Sequence, residues 1–124
     1  MHRSRLAGFI VDCKDADVEE AARFWSAALG MGARAPEEKY VPLDASARDL
    51  AIEVQTVSHE SRVHLDIESD DVDAEADRLE RLGARRVQKV RTWWVMEAPT
   101  GQRFWVIRAK ADLRGAAGAT EWRE

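Results

Sequence analysis

The sequence predicts an α+β fold made of two tandem β-α-β-β-β units, and three observations lead there. Asp17-Val18 and Asp71-Val72 lie 54 residues apart, and Leu29-Gly30 and Leu82-Gly83 lie 53 apart. A near-constant offset between two helix starts and two helix ends is the mark of an internal duplication. Short runs of alternating apolar and polar residues surround both helical stretches, as strands do. The 124 residues amount to one domain, long enough to bury a core without disulfide or metal staples.

In the first unit, Leu6 to Cys13 (LAGFIVDC) is a short apolar run that reads as a buried strand. Phe9 and Val11 share one of its faces; Gly8, Ile10 and Asp12 share the other. Asp17 then stands where an N-cap belongs, followed by Glu19 and Glu20 at the positive end of the helix dipole. Val18, Ala21, Ala22, Trp25, Ala28 and Leu29 recur at three- and four-residue spacing, and Gly30 follows as a C-cap. A helix over 18–29 with that stripe inward is expected. Three strand candidates come next, Met31 to Arg34, Lys39 to Leu43 and Asp49 to Gln55, interrupted by Pro36, Pro42 and Asp44-Ala45-Ser46-Ala47. In the last of them Leu50, Ile52 and Val54 alternate with Ala51, Glu53 and Gln55.

The second unit opens on Arg62 to Glu68, where alternation is unbroken. Val63, Leu65 and Ile67 fall on one side as a packing face, and His64, Asp66 and Glu68 on the other as a titratable face. That polar face is expected to look into a cavity rather than bulk water. An acidic cap region, Ser69-Asp70-Asp71, leads into a helix with Val72, Ala76, Leu79 and Leu82 on one face. Strands are expected at about 84–88, 92–97 and 103–108, with a tight turn at Ala98-Pro99-Thr100-Gly101. Adjacent Trp93 and Trp94 must face opposite sides of a regular strand, one joining the core and the other left for a site or a dimer seam. The domain spans 1–110, with units at about 5–56 and 61–109. Residues 111–124 read as a loose tail whose Trp122 packs back on the domain or on a partner.

With 45% apolar and 34% charged residues the chain has the composition of an ordinary globular protein. A net charge of -4 and a pI near 5.4 argue against a nucleic-acid or anionic-membrane surface. A single cysteine, Cys13, forms no intramolecular disulfide, and no charged and apolar leader opens the chain, so a cytoplasmic location is expected. Cys13 has no nearby His or CxxC partner and reads as inert. Arg85, Arg86, Lys89 and Arg91 read as an exposed basic surface.

Ala21-Ala22-Arg23-Phe24-Trp25 and Leu-Gly in the first helix, His64-Leu65-Asp66, and Pro99-Thr100-Gly101-Gln102-Arg103-Phe104 before and in the last strand resemble the vicinal oxygen chelate superfamily. More narrowly, the chain resembles its small glyoxalase-like single-domain proteins, over about residues 5–109. The resemblance implies a curled mixed sheet around a cup, with the helices on the outer face. That superfamily includes glyoxalases, extradiol dioxygenases, epimerases, thiol transferases and metal-free bleomycin-binding proteins, so it does not fix the reaction. In its metal-dependent members each half lends two ligands to one divalent ion, and those positions fall here at Gly8, Glu53, His64 and Trp105. Only Glu53 and His64 carry ligating atoms, short of the three or more that a catalytic site uses. No metal cofactor is therefore expected, with a weakly held divalent ion at Glu53 and His64 as the alternative. A slip of one residue in the matching brings Asp12 into the cup.

These readings lead to a metal-independent small-molecule-binding protein. His64 and Glu53 are the candidate catalytic residues, and Asp66, Trp93, Trp94, Trp105, Gln55 and Asp12 the candidate ligand-binding ones. An apolar and acidic cup suits a cationic or aromatic guest. One alternative is a lyase or isomerase using His64 with Glu53 or Asp66 as acid and base. Another is a non-catalytic dimeric interaction module. The partners expected are a small-molecule ligand and a second copy of the chain, with no nucleic acid and no membrane.

Overall fold

The computed structural model describes residues 1–123. In chain order its elements are β1 (His2–Lys14), α1 (Val18–Leu29), β2 (Tyr40–Leu43), a 3-10 turn (Ser46–Arg48), β3 (Ala51–Val57), β4 (Arg62–Ser69), α2 (Val72–Arg81), β5 (Arg85–Val90), β6 (Trp93–Glu97), β7 (Arg103–Arg108) and β8 (Thr120–Trp122). The strands belong to an eight-stranded mixed sheet, which gives the α+β class expected. By contacts the chain divides into two compact units, residues 8–64 and residues 1–7 together with those from 65 onward.

Within the 8–64 unit, β1 and β3 run parallel in a register from Gly8↔Ala51 to Lys14↔Val57, and β2 lies antiparallel on β3. The helix α1 begins where expected, because the Asp17 carboxylate accepts the N–H groups of Glu19 and Glu20 at 3.0 and 3.3 Å. It ends at Gly30, whose φ of 70° a side chain would strain. Val18, Ala21, Ala22 and Trp25 pack with Val41, Leu43 and Val54 of the strands. The stripe stops there, since Leu29 is exposed. Removing the cap with Asp17→Ala is expected to cost about 1 kcal/mol, read as a lower urea midpoint at unchanged slope.

Met31 to Arg34 does not form the strand expected of it. Only an isolated bridge joins Ala33 to Leu43, supported by the Arg34 N–H to the Pro42 carbonyl (2.8 Å). With Pro36 two residues on, the pairing has no room to extend. The unit is therefore β-α-β-β with a bridge in place of one strand.

The other unit contains the complete β-α-β-β-β arrangement. β4 and β7 pair parallel, and β6 pairs antiparallel with both β7 and β5. α2 packs over β5, β6 and β7, and Val72, Ala76 and Leu79 meet Met96 and Val106 in its core. Asp71 caps the helix by accepting the Ala74 N–H at 3.0 Å. Leu82, expected on the inward stripe, is instead exposed. The turn before β7 closes as expected, with the Gly101 N–H on the Ala98 carbonyl at 2.9 Å. The basic residues of β5 pair with acids: Arg85 with Glu97, Arg86 with Asp77 and Glu80, and Lys89 with Asp73.

The segment after residue 109 is not a loose tail throughout. β8 pairs antiparallel with the start of β1, from His2↔Trp122 to Ser4↔Thr120. β1 itself starts at His2, four residues before the apolar run. This polar start is held by side chains. His2 Nε2 meets the Glu75 carboxylate at 2.8 Å, and Trp122 donates to Ser4 Oγ at 2.9 Å.

β4 inverts the expectation drawn from its alternation. His64 and Asp66 are buried, at 3% and 8% exposure, whereas Val63 and Leu65 stand 60% and 45% exposed. Only Ile67 of the apolar side reaches a core, the one under α2. The reason is where the helices dock. α1 packs over β2 and β3 and α2 over β5, β6 and β7, and Val63 and Leu65 are in neither of the clusters described under these helices.

Candidate functional site

In the 8–64 unit the register sets the polar face. Parallel in-register neighbours point the same way, so Asp12 lies beside Gln55, and Ile10 beside Glu53. Val11 and Cys13, on the opposite side, pack in the α1 cluster. Asp12 and Gln55 are 2% and 3% exposed. His64 Nδ1 donates to Asp12 Oδ2 at 3.0 Å. A carboxylate only accepts, so Nδ1 is the nitrogen that carries a proton in this contact.

Two more groups surround the same oxygen. Arg62 Nε lies 3.7 Å and His59 Nε2 3.8 Å from Asp12 Oδ2. His59 donates from Nδ1 to the Glu60 carbonyl at 2.8 Å and accepts at Nε2 from Arg62 at 3.3 Å. The other oxygen, Asp12 Oδ1, is buried and has no hydrogen-bond partner among the described residues. A buried acceptor of this kind is costly unless a donor reaches it. Burial, and next the Asp12 charge, push the Cys13 thiol pKa up, which favours the thiol form.

In the other unit the candidate residues separate by face. Asp66 is in register with Trp105, and Val95 is Trp105's partner across β6. Trp93, two residues from Val95 and on its face, stacks on Trp105 with centroids 5.6 Å apart and planes 24° from parallel. The Trp93 indole N–H is buried with no acceptor among the described residues. Trp94 turns the other way: it packs at the α2 core and donates to Asp73 Oδ1 at 2.9 Å. Of the two adjacent tryptophans, Trp93 therefore belongs with Trp105 and Trp94 with the helix.

The structure gives His64 a shown partner in Asp12, on the same sheet face as Glu53 and Gln55. Sequence reasoning did not single out His59 and Arg62. His59 lies in what reads as a connecting loop and Arg62 opens the strand that follows, and nothing in local pattern distinguishes them from solvated residues.

The donor set can be tested against a divalent ion. At Gly8 a Cβ would sit 1.7 Å from the Ala51 carbonyl oxygen, so β1 and β3 approach too closely there for any ligating side chain. Trp105 offers only an N–H. Among the described residues no three His, Cys, Asp or Glu side chains are grouped to hold a metal. Two of the four positions that the resemblance assigns to metal ligands, Gly8 and Trp105, thus offer no ligating side-chain atom.

A chain with two helices over a mixed eight-stranded sheet, one complete β-α-β-β-β unit and a second of the same plan, is an α+β protein of the duplicated kind. Residues 8–107 match the family model described as glyoxalase-like domain, and the chain belongs to that family. No curated protein matches it. Among solved structures it is similar to methylmalonyl-CoA epimerase from Mycobacterium tuberculosis, at 17% identity and a TM-score of 0.61, covering 90% of this chain and 92% of that one. It is also similar to a glyoxalase/bleomycin resistance protein/dioxygenase superfamily member from Vibrio splendidus 12B01, at 13% identity and a TM-score of 0.56, covering 86% and 99%. An extradiol ring-cleaving dioxygenase from B. fuscum matches at 14% identity and a TM-score of 0.60 over 86% of this chain, which spans 33% of that protein's length. At such identities the likeness is one of fold.

Proposed function

We propose that the chain is a small-molecule-binding protein of the glyoxalase-like kind that works without a resident divalent ion, and that the Asp12–His64 pair is the centre of its ligand contact. The observation that carries this is the buried carboxylate of Asp12. One oxygen holds His64, and the other is a buried acceptor placed for a hydroxyl, amide or ammonium donor of a ligand. Gln55 and Glu53 extend the same face. Taken by itself, the other unit holds a Trp93–Trp105 stack with one buried N–H donor, a flat apolar surface of the kind on which an aromatic ligand rests. The steric bar at Gly8 supports the metal-independent reading.

The test has two arms. Protein purified without chelator is expected to carry only traces of Zn, Ni, Fe or Mn, and titration with a small-molecule panel is expected to quench tryptophan fluorescence. Quenching should weaken at least about tenfold in His64→Ala, the loss of one charge-assisted hydrogen bond or more. Near-stoichiometric metal that His64→Ala removes would overturn the metal-free reading, and a panel that perturbs nothing would overturn the ligand.

A second reading, a lyase or isomerase, is favoured by the orientation of His64. An imidazole held through Nδ1 by a buried carboxylate is the arrangement of a positioned general base. Deuterium uptake into a ligand incubated in D2O, abolished by His64→Ala, distinguishes turnover from binding. We further propose a homodimer, supported by the exposed Leu6 and Leu65 on β1 and β4, and a cytoplasmic location. Light scattering at micromolar concentration tests the first and fractionation the second. No helix among the described residues is long and apolar enough to cross a membrane.

A further inference from the structure

A cavity of about 530 Å³ lies beside the last turns of α2 and the end of β8, lined by Arg78, Arg81, Leu82, Trp122 and Arg123. All of these residues belong to one compact unit. Three are guanidinium groups, one is an indole, one is an exposed leucine, and none of the described lining residues is acidic. We propose that this cavity is a second ligand site, for a small planar aromatic anion.

Its aromatic wall is fixed from two sides. The Trp122 N–H donates to Ser4 Oγ at 2.9 Å, and the Arg78 guanidinium lies 3.7 Å from the ring centroid. Arg78 is itself locked by two hydrogen bonds to Glu75, at 2.7 and 2.8 Å, and Glu75 is fully buried against His2. The indole is thus preorganised, which lowers the ordering cost of stacking a flat ring near it.

The charge comes from elsewhere. Glu75 neutralises Arg78, while Arg81 is exposed on the last turn of α2 and Arg123 is 83% exposed, with one 3.3 Å contact to Glu121. These two guanidinium groups remain to meet an anion, in the planar fork geometry that suits carboxylate and phosphate. The volume falls within the usual range for a small-molecule site. An aromatic carboxylate and a nucleoside monophosphate share the required chemistry, a flat ring carrying an anionic group. The proposal shares no residue with the Asp12–His64 pair and does not depend on the function proposed there.

The indole N–H resonances in a proton–nitrogen NMR spectrum of the full chain test it. The signal absent in Trp122→Phe identifies Trp122. Titration with 1-naphthoate, with AMP, or with both is expected to shift that signal saturably. Response to one alone says whether carboxylate or phosphate is the group recognised. Affinity should fall about tenfold or more in the double variant Arg81→Ala/Arg123→Ala, whose changes are confined to exposed side chains. The uncharged 1-naphthalenemethanol should bind about tenfold more weakly than 1-naphthoate. The proposal is overturned if neither anion moves the Trp122 signal at millimolar concentration, if the neutral alcohol binds as tightly, or if the double variant binds unchanged.

Discussion

Glu75→Ala is expected to lower stability by about 3–5 kcal/mol, the loss seen when one partner of a buried ion pair is removed. Glu75 has no exposed surface, and its carboxylate joins three chain segments: the Arg78 fork on its own helix, His2 at the start of β1, and through Arg78 the ring of Trp122 on β8. Without it, Arg78 and His2 lose the acceptor they share. Since a typical domain has only about 5–15 kcal/mol in hand, the alanine variant will be hard to fold, and Glu75→Gln gives the cleaner reading. The amide keeps the volume and one acceptor, and a loss of about 1–3 kcal/mol is expected. Urea unfolding at neutral pH measures both.

The same carboxylate gives a pH dependence with a definite sign. Burial pushes the Glu75 pKa up, but hydrogen bonds from Arg78, His2 and Ser4 outweigh it and hold the group below its ordinary value of 4.5. A group whose pKa is lowered by folding adds stability above its unfolded value and loses it as pH falls through the folded one. The stability gap between the native protein and Glu75→Gln should therefore be widest above about pH 5 and close as the pH drops below 4.5. A gap that stays constant down to pH 3 would show that folding does not lower the Glu75 pKa.

Asp12→Ala is expected to cost about 3 kcal/mol and to abolish ligand binding through the His64 face. The Asp12 side chain is 1% exposed and draws His64, Arg62 and His59 around one oxygen. Removing it takes away the acceptor that keeps the proton on Nδ1 of His64. Imidazole nitrogen shifts in labelled protein read this directly, without any ligand. The native protein should show the Nδ1–H form, and Asp12→Ala should lose that preference. Asp12→Asn retains an acceptor and the shape, so it should keep the fold and the tautomer while weakening ligand binding about tenfold, because the amide offers a weaker acceptor than a carboxylate. Unchanged tautomers in Asp12→Ala would remove Asp12 from its positioning role.

Both predictions rest on residues of very different legibility. Asp12 and His64 lie on alternating strands, and period-two counting places each on the face opposite its apolar neighbours. Their contact spans 52 residues and follows from strand pairing, which local pattern does not encode. Nothing in the local pattern singles out Glu75 or His2. Their burial depends on β8 returning to cover the first strand.

The tryptophans show the same division. Adjacency requires Trp93 and Trp94 to face opposite ways. Only the docking of α2, with Asp73 beside Trp94, decides that Trp94 is the helix-side ring and Trp93 the partner of Trp105.

The sequence by itself determined the helices, their caps and the duplicated order, because capping, periodicity and turn chemistry act over a few residues and are written locally. It also determined which side chains share a face. Tertiary structure alone decided which faces are covered, and it buried His64 and Asp66 while leaving Val63 and Leu65 open. A strand's two faces are equivalent until something packs on one of them, and what packs is fixed by contacts between residues far apart in the chain.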